Sequence, residues 1–391
     1  MIKFKKSTNE KDRKIVIKKN GFQLTKNNKI LLISGLLIAV IIIFAAIIIA
    51  NNSGDSLQPV ANTEDETDIV PEDNLNSDEN GSDTADDSED NKDINPKEEF
   101  ILPKEGIRPY AVMIDNEGTR SLPQGGLYKA QLIYEIIVEG GETRLMPVFW
   151  DSSPELIGPV RSSRHYFLDY AMEHDAIYVH YGWSPMAQRD ISAFKINNIN
   201  GVGYGGEIFW ELTKDPNNWQ DSYTSMENIK KFTEKAKYRT STEKKLLFEY
   251  NDTDKELENG ERAEKITMRY SSGYTCGFEY DSETGLYNRL RKEKPHMERN
   301  TNEQLTAKNI IIQKVKNYPI PGDPEGRQEV VTVSKGSGWY ITGGKAIEIN
   351  WSKDSRNAQT KYTDKNGNPI TLNPGQTWIQ IVPIEGAVTI E

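Results

Sequence analysis

The 391-residue chain has a single cysteine, Cys276, so no intramolecular disulfide can form and a folded part must rest on its hydrophobic core. Four histidines beside that one cysteine do not make a structural zinc set. Basic charge is also short: the formal net charge is −11, which leaves no global positive field and speaks against nucleic acid as a partner. Complete catalytic signatures are missing too. S-x-x-K occurs at Ser192–Lys195 and Ser241–Lys244 without S-D-N or K-T-G partners, and there is no G-x-S-x-G elbow. "GVGYGG" (201–206) fits G-x-G-x-x-G but follows "KINNIN", which is too polar for the buried strand a dinucleotide site needs, so it reads as a flexible loop. No cofactor is implied.

What is present is unevenly spread. Residues 1–29 carry ten Lys or Arg against Glu10 and Asp12, and residues 30–50, "ILLISGLLIAVIIIFAAIIIA", carry no charge. As a helix rising ~1.5 Å per residue, that run covers the ~30 Å hydrocarbon core of a bilayer. It is longer than an export signal's apolar region and ends without a small-x-small cleavage site, so it reads as an uncleaved anchor. The basic tail then stays cytoplasmic and everything after Ala50 lies outside. Residues 51–99 hold 17 acidic residues, only Lys92 and Lys97 as basic ones and almost nothing apolar. Such a segment is expected to be a disordered, extended linker.

From 100 to 250, short apolar runs alternate with helix-like segments, which predicts an α/β or α+β domain with a mixed sheet. Strands are expected at 109–115, 130–138, 143–150, 155–160 and 175–182. A helix is expected where Phe167, Leu168 and Ala171 recur at helical spacing, with Ser162 or Ser163 as its N-cap. Ser184-Pro185 predicts a second helix start, and Thr224 with Glu227 a capping box for a third.

Two of these helix starts would fall at the carboxyl ends of strands, where free N–H groups and the helix dipole favour anions. Arg144, Arg161 and Arg164 add guanidinium donors at the same edge. This yields a candidate ligand-binding set of Arg144, Arg161, Ser162, Ser163, Arg164, His180 and Ser184. Asp115 and Glu139, with Glu135 near them, offer carboxylates for Mg²⁺ if a phosphate shared the site. The plainer reading is that these arginines pair with nearby acids in a surface salt-bridge network. His174 and His180 flank one strand and would otherwise be packing residues.

From 251 to 391 the pattern is mostly β, with runs at 266–270, 275–280, 309–316, 329–334, 338–342, 346–351 and 377–383. Gly343-Gly344 and Asn366-Gly367 supply tight turns. Trp339, Trp351 and Trp378 read as core. With no catalytic constellation, this half looks like a binding or bracing module.

"AQLIYEIIVEGGETRLMPVFW", "ELIGPVRSSRHYFLDYA", "YVHYGWSPMAQ", "KAIEINWSK" and "LNPGQTWIQIVP" closely resemble the YerB-like envelope lipoproteins, which consist of an N-terminal and a C-terminal domain of unknown function. The similarity spans about 106–383. It implies an extracytoplasmic envelope protein of a Gram-positive type of cell and carries no established reaction. Two departures stand out. Cys276 is far from the acylated N-terminal position that family members use, so the apolar helix would anchor this chain instead. Where members show Phe-x-Arg-Asp, Pro-His-Asn and Tyr-Thr-Ser, this chain has Phe209-Trp210-Glu211, Pro216-Asn217-Asn218 and Tyr223-Thr224-Ser225.

The expectation is therefore a membrane-anchored envelope protein that binds an anionic group of a wall precursor or polymer, or that scaffolds wall-synthesis proteins. The alternative is a metal-assisted phosphotransferase acting on polyprenyl-linked wall precursors, by analogy of pattern with the LytR-CpsA-Psr enzymes.

Overall fold

The central strands are mostly apolar and buried almost throughout because both of their faces are covered. In chain order the N-terminal part contributes β1 (Tyr110–Val112), β2 (Ile114–Asp115), β3 (Leu132–Ile137), β4 (Thr143–Phe149), α1 (His165–Glu173), β5 (Ile177–His180), α2 (Pro185–Ala193), β6 (Asn198–Asn200) and α3 (Met226–Lys235). Every residue of β3 and β4 is buried. Register explains the break between β1 and β2. Tyr110 pairs with Phe149 and Ile114 with Leu145, which sets Val112 opposite Pro147, a residue with no N–H to give. The chain turns there, and Met113 donates instead to the Val179 carbonyl on β5.

The C-terminal part adds β7 (Lys265–Arg269), β8 (Thr275–Asp281), β9 (Leu286–Arg291), β10 (Asn309–Val315), β11 (Lys335–Thr342), β12 (Lys345–Ser352), β13 (Thr377–Pro383) and β14 (Val388–Ile390). A mixed α/β part is thus followed by a mostly β part. This computed structural model describes residues 100–391 apart from 214, 216 and 219. The basic tail, the apolar run 30–50 and the acidic linker lie outside the described residues. Among the described residues no helix is long and apolar enough to cross a membrane.

The two parts share one twelve-stranded sheet, whose order runs Glu261–Arg262, β12, β11, β10, β13, β3, β4, β1, β5, β6. Nearly the last strand in sequence, β13 lies in the middle, parallel to β10 on one side and to β3 on the other. Thr377 faces Leu132 and Ile381 faces Ile136. A second, six-stranded sheet contains β9, β8, β7 and β14 in that order. Alternation along β3 shows how the layers stack. Glu135 meets Tyr274 and Arg289 of the smaller sheet, while its neighbour Tyr134 meets Tyr170 and Glu173 of α1. One hydrophobic cluster runs from Tyr110 to Val382 across both parts.

Several local expectations shift. Residues 155–160 form isolated bridges, Ile157 to Thr224, Gly158 to Gly125 and Val160 to Ile114, rather than a strand. Gly158 has φ +151, and a Cβ there would lie 2.7 Å from the Tyr223 ring. "NIN" is a strand despite its polarity, because β6 is an edge paired only with β5, and the glycine-rich segment after it winds into a one-turn helix, Gly201–Tyr204. Ser225, not Thr224, caps α3 through the Asn228 N–H. Trp351 and Trp378 are core as expected, while Trp339 is half-buried against it.

Candidate functional site

Strands β1, β5 and β6 run parallel, and their carboxyl ends lead into the segments that hold the expected residues. The structure brings the three arginines together around residues 161–164. Arg161 Nε lies 3.1 Å from Asp115 Oδ2. Arg164 grips Glu139 with two donors, Nε and Nη2, the second at 2.9 Å, and its Nη1 donates to the Ser163 carbonyl at 3.1 Å. Burial opposes ionisation of Glu139, but Arg164 outweighs it and holds the carboxyl below its usual range. To this extent the salt-bridge reading describes the corner.

Arg144 departs from it. Projecting from β4 opposite Asp115 in the ladder, it is 3% exposed, donates through Nη1 to the Ser162 carbonyl, and leaves Nε buried without a partner. No carboxylate oxygen lies within 4.0 Å of its guanidinium among the described residues. Desolvation, then repulsion from Arg164, lowers its pKa to about 10, against the pull of Asp115. Glu117 is also within electrostatic range of Arg161 and Arg144, and burial raises its pKa. A buried cation without an adjacent counter-ion is costly, and it is the one feature of this corner that structural pairing does not account for.

The remaining expected residues are in structural bonds. Ser163 accepts from Tyr178, and α1 takes Arg164 as its N-cap, with no side-chain hydrogen bond, rather than Ser162 or Ser163. Ser184 caps α2 through the Ala187 N–H, as its Pro185 neighbour predicts. His180 has both ring nitrogens engaged, by the Gly182 carbonyl and Asn198, and burial lowers its pKa. Asp115 accepts from Gln220 and from the Glu117 N–H besides meeting Arg161. Glu135 turns away to the opposite face of the sheet. Among the described residues no three His, Cys, Asp or Glu side chains form a metal-binding group. Two cavities, about 480 Å³ beside Arg108, Tyr110 and Tyr238 and about 520 Å³ beside Phe248 and Tyr362, are not lined by these arginines.

A second polar cluster went unread in the sequence. Glu135, fully buried, accepts from Tyr274 at 2.6 Å and Thr143 at 2.8 Å and is ion-paired with Arg289, whose guanidinium also lies over the rings of Phe278 and Trp378 at 4.7 and 4.8 Å. Arg291 donates to the Asn116 side chain at 2.8 Å, and His296 meets Gln124 at 2.7 Å. On the other face Lys353 bonds Glu173 at 2.8 Å, and Thr360 donates twice to the same carboxylate. An acid inside the apolar run "LIYEII" was the available signal. Its partners, 139 and 154 residues away, were not.

Comparison with known proteins places this architecture in a family. Residues 101–239 match the protein of unknown function (DUF3048) N-terminal domain, and residues 266–379 match the corresponding C-terminal domain. The chain belongs to the DUF3048 family. It is 32% identical over 289 residues to the protein named "Putative lipoprotein YerB" of Bacillus subtilis strain 168, covering 72% of this chain and 83% of that one. The crystal structure of the YerB protein from Bacillus subtilis superposes with a TM-score of 0.63 at 28% identity, over 73% of this chain and 94% of that one. The resemblance noted in the sequence is therefore a family relationship.

Proposed function

We propose that this is a membrane-anchored, extracytoplasmic envelope protein that binds an anionic group of a cell-wall precursor or polymer at the corner formed by Arg144, Arg161 and Ser162. The observation that carries the reading is the buried Arg144 guanidinium, which among the described residues has no partner for its Nε and no carboxylate within 4.0 Å. An arriving phosphate or carboxylate would supply the missing negative charge through forked, charge-assisted hydrogen bonds. Arg161 and Arg164, each already held by an acid, would shape the approach. Family membership alongside a protein named as a lipoprotein supports the envelope location, and the uncharged run 30–50 supports anchoring by a helix.

The test is thermal unfolding of the full chain in lipid nanodiscs with inorganic phosphate, pyrophosphate and wall-polymer fragments. A ligand specific to the native state raises the melting temperature by mass action. The expected result is stabilisation of the wild type that disappears in Arg144→Gln. No stabilisation by any anion removes the reading.

A further inference from the structure

We infer that the ligand at the arginine corner is amphiphilic, a phosphate monoester on an apolar chain whose first carbons lie across Trp183 and Val202. The inference rests on the anion-binding reading above and goes beyond it by naming the chemistry next to the charge. Gly182 connects the two. Its φ is +78, and a Cβ built there would lie 3.7 Å from both the Ser162 Cβ and the Val202 Cγ2. Ser162 is the residue whose carbonyl holds Arg144. The apolar side chains beside this glycine are therefore linked to the cationic corner through Ser162, which meets Gly182 on one side and Arg144 on the other.

Those side chains are poorly covered. Val202 is 66% exposed and Trp183 37%, the first in the one-turn helix after β6 and the second in the loop after the adjacent parallel strand β5. Single exposed apolar residues are ordinary on a protein surface. A branched aliphatic and an indole flanking a glycine, beside a buried cation lacking a counter-ion, form a site with two chemistries. The indole is fixed: Trp183 is bridged to Ser163 and packs on the His180 ring with centroids 5.5 Å apart. Gly201 lets the one-turn helix pack directly on Tyr181, since a Cβ there would lie 2.1 Å from that ring. A free inorganic anion would use the arginine alone and leave this rim wet. An anion on a short apolar chain would cover both.

Full-length protein in nanodiscs is titrated with inorganic, methyl, butyl and hexyl phosphate, whose short chains keep them in water, with empty nanodiscs as the blank. Each fully buried methylene strengthens binding by up to about fourfold. The expected result is affinity that rises at least about tenfold from methyl to hexyl phosphate in the wild type and stays flat in Val202→Asp and Trp183→Ser. Both positions are on the surface, so the variants should melt like the wild type and still bind inorganic phosphate. If inorganic and methyl phosphate bind but hexyl phosphate binds no better, the amphiphile inference fails and the anion site stands. If the chain-length rise survives in both variants, the chain does not lie on this rim and the inference fails again. If no phosphate binds at all, the anion reading falls and takes this one with it.

Discussion

Arg289 and Arg144 are equally withdrawn from water, and they differ in what lies opposite. Arg289 faces the Glu135 carboxylate, itself held by Tyr274 and Thr143, with aromatic rings on two sides. Arg144 has a backbone carbonyl and a spare N–H. The first arrangement is a brace between the two family domains, its charge matched by a carboxylate even though the Arg289 Nε, like that of Arg144, has no hydrogen-bond partner. The second has no carboxylate beside it among the described residues, and burial with a missing counter-ion is a better pointer to a binding site than burial alone.

That contrast can be broken most severely by cutting the chain. Residues 100–250 expressed alone lack β13, the strand that pairs with Leu132–Ile136 of β3, and lose Tyr274 and Arg289, the partners of Glu135 from the C-terminal part. We expect no cooperative thermal transition from this fragment by circular dichroism, and recovery of one when residues 251–391 are supplied in trans. A cooperative melt of the fragment by itself would show that the shared sheet is incidental.

Next in size is the brace. Arg289→Met strands a buried carboxylate, and breaking such a pair costs about 3–5 kcal/mol. Adding Glu135→Gln should restore most of the loss, measured by urea unfolding of both variants against the wild type. A double variant no better than the single one would mean that the aromatic contacts of Arg289, rather than its charge, hold the seam.

A smaller, pH-dependent effect comes from the same interior. Burial pushes His174 down to about 4, and burial also lowers His180 and His296. Each binds a proton more readily when unfolded, so their contribution is complete above the ordinary histidine pKa of about 6.5 and is lost as pH falls towards 4. For His174 alone the loss is about 3 kcal/mol by linkage at ~1.4 kcal/mol per tenfold. Asp169, pushed up to about 6 chiefly by burial, acts the other way between 3.8 and 6 and reduces the slope there. Urea titrations at pH 7 and 4.5 should show a drop for the wild type and a shallower one for His174→Asn.

The smallest effect on stability is expected where the binding effect is largest. Arg144→Gln removes a charge with no counter-ion and one hydrogen bond to the Ser162 carbonyl, opposing terms that should leave stability within about 1 kcal/mol of wild type. A loss of 3 kcal/mol or more would make Arg144 a brace like Arg289 and end the contrast.

The sequence made much of this legible, for physical reasons. Strands β3, β4, β10 and β13 are buried on both faces, so they are written as apolar runs that need no neighbour to be recognised. Ser184-Pro185 states its helix start in two residues. The β6 strand was hidden because a short edge strand buries too little to require an apolar sequence. The N-cap of α1 is Arg164 rather than a serine because the helix begins only at His165, and Ser163 bonds Tyr178, a partner 15 residues on. At the corner, residue types and their convergence could be read in advance, but which arginine would be left without an acid could not. That is decided by geometry at the Ångström scale. The seam between the domains, built from contacts more than 100 residues apart and as far as Gln376 with Leu127, had no local signature at all.

The place of β13 has a consequence for synthesis. Translation at ~5–20 residues per second separates the completion of Ile137 from that of Thr377 by roughly 12 to 48 seconds. Through that interval the edge of β3 that will receive β13 has no partner, although its residues are among the most apolar in the chain. Assembly is therefore a wait for the last few dozen residues, during which an unpaired strand must be kept from joining anything else.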